Sequence, residues 1–389
     1  MNRSTSRILA THTGRLLKPD SGWQGMGIVS APPTPEQLKQ EMTELVTAQV
    51  DIGMDVISNG EPAGIGPFSL FGLIEGFENR QIQLPEGERV PSPRHIRWIS
   101  REMEKFPDFY ADMFEQTKMA SARARSATQT VVAGPLRLRT IEPFERDIRM
   151  FKEVLRERAP QKEAFYCVVA PAWLEEFVWN EYYKTDDDFI VALSAVMAPI
   201  FKTVTDNGLI LQIDDPAMTH DWEESKRSPM GPRDYERFIM LRVEALNAAL
   251  AEIPAEMIRF HVCWGSWPGM HTDNLHLKEL VKPMLKVKAQ AYSIESAKAT
   301  HRHEWKVWRD IVKLPEGKIL IPGVVDHTTS VVEPSEVIAD QLIQFARVVG
   351  RENVQAGTDC GMRGHATAAW EKYKNIVKGA ALASKQLWS

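Results

Sequence analysis

The sequence predicts an α/β fold: a single (β/α)₈ TIM barrel over residues 1–389, with a long insertion after its second strand. Three observations predict it. Short apolar runs alternate with longer amphipathic stretches along the whole chain, the pattern of parallel βα units. Residues able to do chemistry gather at the C-terminal ends of the runs: His12, Glu61, Asp214, His261, Cys263, Glu295, Asp326 and Cys360. Barrel enzymes draw on many strand ends at that face, whereas a doubly wound open sheet, the competing architecture, uses the crevice at one switch point. Finally, 389 residues suit one large barrel or two average domains.

In chain order the strand candidates are 8–13, 54–58, 128–133, 164–170, 209–214, 258–263, 291–295, 318–324 and 354–358. Nine runs compete for eight places, so one belongs to the rim or is no strand at all. Helical periodicity fills the gaps, as at 34–52 and 334–349, where Pro334 and Ser335 suit a helix start and Gly350 its stop. The stretch from Gly60 to Arg125 breaks the alternation. It is rich in Pro, Gly, Arg and aromatics, Pro93, Trp98, Phe109 and Tyr110 among them. It reads as an insertion over about 62–125 that covers the barrel mouth as a lid or a partner surface. A second polar loop spans 219–234.

Composition narrows the function. Hydrophobic residues make up 43% and charged residues 25%, as in ordinary globular proteins. A net charge of -5 argues against a nucleic-acid partner. No apolar run approaches the roughly 18 residues of a membrane span, so none is expected. The basic N-terminus lacks the apolar core of a signal peptide. Cys167, Cys263 and Cys360 make no disulfide framework, which fits a reducing cytoplasm where thiolates stay available to a metal.

His261 and Cys263 are two apart, so on a strand both side chains point to one face. Glu295 follows by about one βα unit and Cys360 by about two more, so adjacent strands could bring all four together. One imidazole, two thiols and one carboxylate form a borderline-soft set that suits zinc. The competing reading makes the cysteines buried small hydrophobes and His261 a core histidine. Zinc so held can bind a substrate thiol and lower its pKa, and the thiolate then attacks an electrophilic carbon. Glu295 is the hardest ligand and the one expected to give way.

The segments 260–264, 293–295, 320–326 and 358–361 resemble the catalytic half of cobalamin-independent methionine synthase in order and spacing. The similarity runs from Thr11-His12-Thr13-Gly14 to the C-terminus, and the expected type is the short single-barrel branch that includes epoxyalkane:coenzyme M transferase. The resemblance implies a (β/α)₈ barrel with zinc on His261, Cys263, Glu295 and Cys360. The run Gln212-Ile213-Asp214-Asp215-Pro216-Ala217 resembles the family's Gln-x-Asp-Glu-Pro-Ala, and Asn59-Gly60-Glu61 its Gly-Glu strand end. It thereby implies that Asp214 and Glu61 hold a substrate amino group; the plainer reading has each capping a helix or pairing with an Arg. His12 and Arg15 complete the expected substrate-binding set.

Two departures count against efficient methionine synthesis. Arg15 stands where the family commonly has a small hydroxyl, and it could serve an anionic group on another substrate. The family's Asp-x-His-Ser reads here Asp326-His327-Thr328-Thr329, moving the proton donor by one residue. Asp326 or His327 is expected to handle the leaving-group proton, with a solvated loop histidine as the alternative for His327. His301 and His303 form a His-x-His pattern in which a second metal is the weaker reading. Trp264, Trp267 and Trp305 line the pocket or simply pack, and Cys167 is expected in the core.

The sequence therefore points to a zinc-dependent alkyl (methyl) transferase acting on a small thiol and an alkyl donor, with a homo-oligomer open. Two alternatives stand. One is an epoxide-opening or carbon–sulfur lyase reaction on the same zinc. The other is a non-catalytic binding barrel with structural zinc.

Overall fold

A computed structural model describes residues 1–24, 33–62, 67–81, 102–116, 128–220, 232–266, 269–272 and 274–389. Thirteen strands are described: β1 (Leu9–Ala10), β2 (Trp23–Gln24), β3 (Val56–Ser58), β4 (Ile74–Gln81), β5 (Thr128–Leu138), β6 (Glu163–Val169), β7 (Val178–Asn180), β8 (Ile210–Asp214), β9 (Ile258–Val262), β10 (Ala291–Ile294), β11 (Ile319–Pro322), β12 (Gln355–Ala356) and β13 (Gly364–His365).

The centre is a curled parallel sheet. Six strands follow the order β11-β10-β9-β8-β6-β3, and β1 pairs in parallel with β12. Bridges at Leu320–Val354 and Gly323–Gly357 join β11 to the β12 segment. Beside β3, the Asp55 N–H donates to the Ala10 carbonyl at 3.0 Å. The strands are short and buried on both faces, as parallel strands covered by helices must be. The curl also brings distant strands face to face. From β9, the buried Arg259 guanidinium donates to the Thr11 hydroxyl and the His12 carbonyl just past β1, at 3.2 and 2.8 Å. It lies 4.0 Å from the Phe165 ring centroid.

Of the nine expected strands, 128–133 is the one outside this sheet. As part of β5 it lies in a separate three-stranded sheet, antiparallel to β4 and parallel to β7. Val131 and Val132 are buried there, while further along β5 Pro135 and Arg137 are exposed.

The helices start where local chemistry predicts. Thr34 and Gln37 form a capping box ahead of the helix Pro35–Asp51, and Gly350, at φ 91°, ends the helix Ser335–Val349. Contrary to the expected absence of such a run, the helix Asp186–Asp206 is long and apolar enough to cross a membrane by length and composition. Here it is a packed layer helix that buries Phe189, Leu193, Met197, Ile200 and Phe201.

Much of the expected 62–125 insertion, including Pro93 and Trp98, lies outside the described residues, as do Trp267 and most of the 219–234 loop. Its described parts are the turn Pro67–Leu73, β4 and the helix Pro107–Gln116 with the turn before it. Glu102, buried in that turn, accepts from the His271 N–H (3.2 Å) and the Thr272 hydroxyl (3.0 Å), and Tyr110 donates to it. The insertion thus docks on the loop that follows β9.

One glycine fixes the active end. A Cβ on Gly323 would fall 2.0 Å from Asp359 Oδ1 and 2.5 Å from its backbone. Gly323→Ala should lower stability by about 3 kcal/mol, the upper end of overpacking costs. Denaturant unfolding measures it, and a loss under about 0.5 kcal/mol, the scatter of surface changes, would contradict this packing.

Candidate metal centre

Strand register builds the site as a row. Asp214 on β8 lies beside His261 on β9, which lies beside Ser293 on β10. The row sits at the C-terminal end of the sheet, where the chain leaves each strand for a loop. His261 Nδ1 is 3.2 Å from Ser293 Oγ, and that hydroxyl is 2.9 Å from Thr13 Oγ1. With Nδ1 engaged by the serine, Nε2 is a buried atom without a hydrogen-bond partner.

One ligand atom each from His261, Cys263 and Cys360 lies within 4.8 Å of the others. Three of the four expected ligands therefore converge. The fourth, Glu295, falls in the neighbouring group with His327 and Asp359. Its Oε1 accepts the Trp264 N–H at 2.8 Å, and its buried Oε2 has no hydrogen-bond partner.

The electrostatics fit a cation. The Cys263 thiol, through its hydrogen bond, and the neighbouring His261 imidazole hold the Cys360 thiol well below its usual range against burial. Cys263 is pushed well above its range by its hydrogen bond to Cys360 and by burial. Burial would lower His261, but the Cys360 contact and the Asp214 charge outweigh it and raise the imidazole. Burial also drives Glu295 well above the carboxylate range, opposed by Lys298, whose Nζ lies 3.8 Å away. A thiol held well below its usual range, a buried carboxylate oxygen without a hydrogen-bond partner and an imidazole nitrogen without one make a donor set that a divalent ion would satisfy, and borderline-soft zinc fits it.

Glu61, Asp214 and Cys167 form a second group within 4.8 Å. Burial and the Asp214 charge push Glu61 up to about 7, and burial pushes Asp214 up to about 6. Among the described residues neither carboxylate makes an ion pair with an Arg: Asp214 Oδ1 accepts from Gln212 Nε2 at 2.7 Å, and Glu61 Oε1 is buried without a hydrogen-bond partner. Cys167, expected in the core, is half-buried against the cluster of Val56, Phe165 and Ile210 and also belongs to this group, 3.4 Å from Gln212 Nε2. Arg15 is half-buried in the neighbouring loop, where its carbonyl accepts the Met362 N–H at 3.0 Å and its charge favours ionised Glu61.

His12, expected among the substrate contacts, belongs to neither group. It is wholly buried, with Nε2 3.0 Å from Gln49 Oε1 and 3.2 Å from Ser58 Oγ, and its ring packs on Phe165. Burial and the Arg259 charge lower it to about 3, so it is a neutral core histidine.

His327 is not a solvated loop residue either. It is wholly buried, its Nε2 is 3.0 Å from Ser266 Oγ, and that hydroxyl donates to Cys360 Sγ at 3.8 Å. The loop turns the displaced histidine inward. Asp326 instead closes a turn by accepting from the Thr328 N–H (2.8 Å) and hydroxyl (2.7 Å). Burial opposes ionisation there, but those two bonds and the nearby His327 hold its carboxyl below the usual range.

Several working residues had no role in the sequence reading. Asp359 accepts from the N–H groups of Ser296, Ala297 and Lys298 at 2.7, 2.9 and 2.8 Å and so anchors the loop after Glu295. Ser293 could have been found, since it lies two before Glu295 on a strand and so shares its face. Ser266 carried no signal.

Comparison with known proteins follows this geometry. The methionine synthase of Pyrococcus horikoshii is 27% identical over 222 residues, 57% of this chain and 57% of that protein. That of Sulfolobus acidocaldarius is 23% identical over the same length, 57% of this chain and 56% of its own. The matched segment thus spans less than two thirds of these relatives. The structure of a B12-independent methionine synthase from Shewanella sp. W3-18-1 aligns with a TM-score of 0.70 at 16% identity, covering 98% of this chain and 99% of that one, which is a likeness of fold. The family model for the cobalamin-independent synthase catalytic domain matches residues 188–382, a stretch that holds Asp214, His261, Cys263, Glu295 and Cys360, and the chain belongs to that family.

Proposed function

We propose that this protein is a zinc-dependent S-alkyltransferase acting on a small thiol that carries an amino group. The carrying observation is the adjacency of two groups: the His261, Cys263 and Cys360 donors, and the Glu61–Asp214 pair one strand away. When bound, zinc supplies a Lewis acid that favours the thiolate of a substrate thiol at neutral pH.

The chain's own residues do the rest. His261, Cys263 and Cys360 would hold the ion, with Glu295 as the fourth and hardest ligand. Glu61 and Asp214 orient the ammonium group through charge-assisted hydrogen bonds. We read the sheet as a closed eight-stranded barrel, a reading supported by the two bridges to the β12 segment and by Arg259 reaching across the interior. We read the insertion, docked through Glu102 on the 270–272 loop, as a cover that excludes water from the reacting carbon.

His327 is the candidate proton donor to the leaving group, but burial lowers it to about 3 and leaves it neutral at working pH. A folate amine must be protonated to depart, so methyl-tetrahydrofolate should be a slow donor. The test incubates zinc-loaded protein with homocysteine and either methyl-tetrahydrofolate or activated sulfonium donors. S-methylation from the sulfonium donors is expected, with folate turnover below about 1 per second against a typical ~10 per second. Methylation from neither donor would overturn the proposed function, while several turnovers per second with folate would return the chain to ordinary methionine synthases.

A further inference from the structure

A second group of metal-ligating side chains lies outside this centre. One ligand atom each from His276, His303 and Glu304 falls within 4.8 Å of the others. The sequence pattern suggested His301 with His303, but the structure separates them. His301 turns inward, its ring centroid 4.4 Å from that of Trp264, and donates from Nδ1 to Glu304 Oε2 at 2.8 Å. Its Nε2 is 3.0 Å from Asn274 Nδ2, which completes its partners.

We propose that His276, His303 and Glu304 form a binding site for a first-row divalent transition metal such as zinc or nickel. Glu304 is the fixed member. It is 4% exposed, its Oε2 is held by His301, and its Oε1 accepts the Leu277 N–H at 2.8 Å. That same Oε1 lies 3.4 Å from His276 Nδ1. The two imidazoles are exposed and meet edge to face with centroids 6.3 Å apart, so each is free to turn its ring onto an ion. Two imidazoles and one carboxylate with open positions suit zinc or nickel and disfavour magnesium or calcium, which prefer oxygen. His276 ends the loop that begins at Cys263, and His303 and Glu304 lie in the loop that begins at Glu295. An ion here would therefore bridge the two loops whose first residues belong to the principal centre.

The test titrates Ni²⁺ and Zn²⁺ by calorimetry into the zinc-loaded protein. A second equivalent per chain is expected, weakened at least tenfold in His303→Ala and in His276→Ala, each with unchanged thermal unfolding in the absence of added metal. Cys360→Ser should lose the principal equivalent and keep this one, which separates the two sites. A single equivalent in the unaltered protein, or a second equivalent that persists in both histidine variants, would overturn the proposal.

Discussion

Cys360→Ser should empty the principal centre and abolish thiol alkylation. The loss should be at least about 100-fold, because changing a ligand must exceed the 10–100-fold cost of changing a residue that merely supports one. Cys360 is the thiol held well below its usual range, through the Cys263 thiol and the His261 imidazole. A serine hydroxyl in the same place does not ionise at neutral pH and offers a harder, neutral oxygen. With it, His261 Nε2 and Cys263 keep only two strong donors, too few to retain the ion. Elemental analysis should fall from about one principal equivalent per chain toward zero, with the circular dichroism spectrum unchanged. A metal-free Cys360→Ser protein turning over at the unaltered rate would end the metal-centred account.

Asp214→Asn should separate amine-bearing thiols from the rest. The side chain keeps its shape and can still accept from Gln212, but the pair loses half its charge. An ammonium held by two half-buried carboxylates then loses about 3 kcal/mol, roughly a 100-fold rise in KM for homocysteine. A thiol without an amino group, such as 3-mercaptopropionate, should change little. The pH dependence has a definite sign. Burial and the Asp214 charge raise Glu61 to about 7, and burial raises Asp214 to about 6, so without ligand both carboxyls hold protons in slightly acidic solution. An ammonium ligand favours their ionised forms, so its affinity should strengthen as the pH rises through that window. The same raised values mean that the pair's contribution to folding stability is full below the ordinary carboxylate range and is lost as the pH rises through 6 to 7. Equal KM changes for the two thiols would remove the amine from the picture.

What the sequence made legible is what period and spacing control. His-x-Cys at a strand end and the apolar runs around it predict one face and one end of the sheet, and the register places Asp214, His261 and Ser293 in a row. What it hid depends on loop conformation. His327 differs from the expected histidine by one residue, and the strand rule points it away, yet the turn closed by Asp326 brings it inside. His12 shares the strand-end position of the chemical residues, but Gln49 and Ser58 claim its ring from elements that no local pattern connects to it. The partner of His303 is His276, which sits on a different loop. Burial patterns also failed to rank 128–133 below its eight competitors, since an apolar run reads alike in a central sheet and in a lateral one.

Glu61 sits in the left-handed region at φ 49°, directly after Gly60 at 78°. A residue with a Cβ is strained there by about 1–2 kcal/mol relative to glycine, and asparagine tolerates the position better than glutamate. The backbone at this strand end therefore favours a residue that the chemistry cannot use. Thermostability and catalysis pull in opposite directions at position 61, so a library screened for heat resistance alone would drift there toward glycine or asparagine. It would return sturdier proteins that had shed half of the carboxylate pair, which makes this position a marker for whether a stabilised relative has been kept under selection for its chemistry.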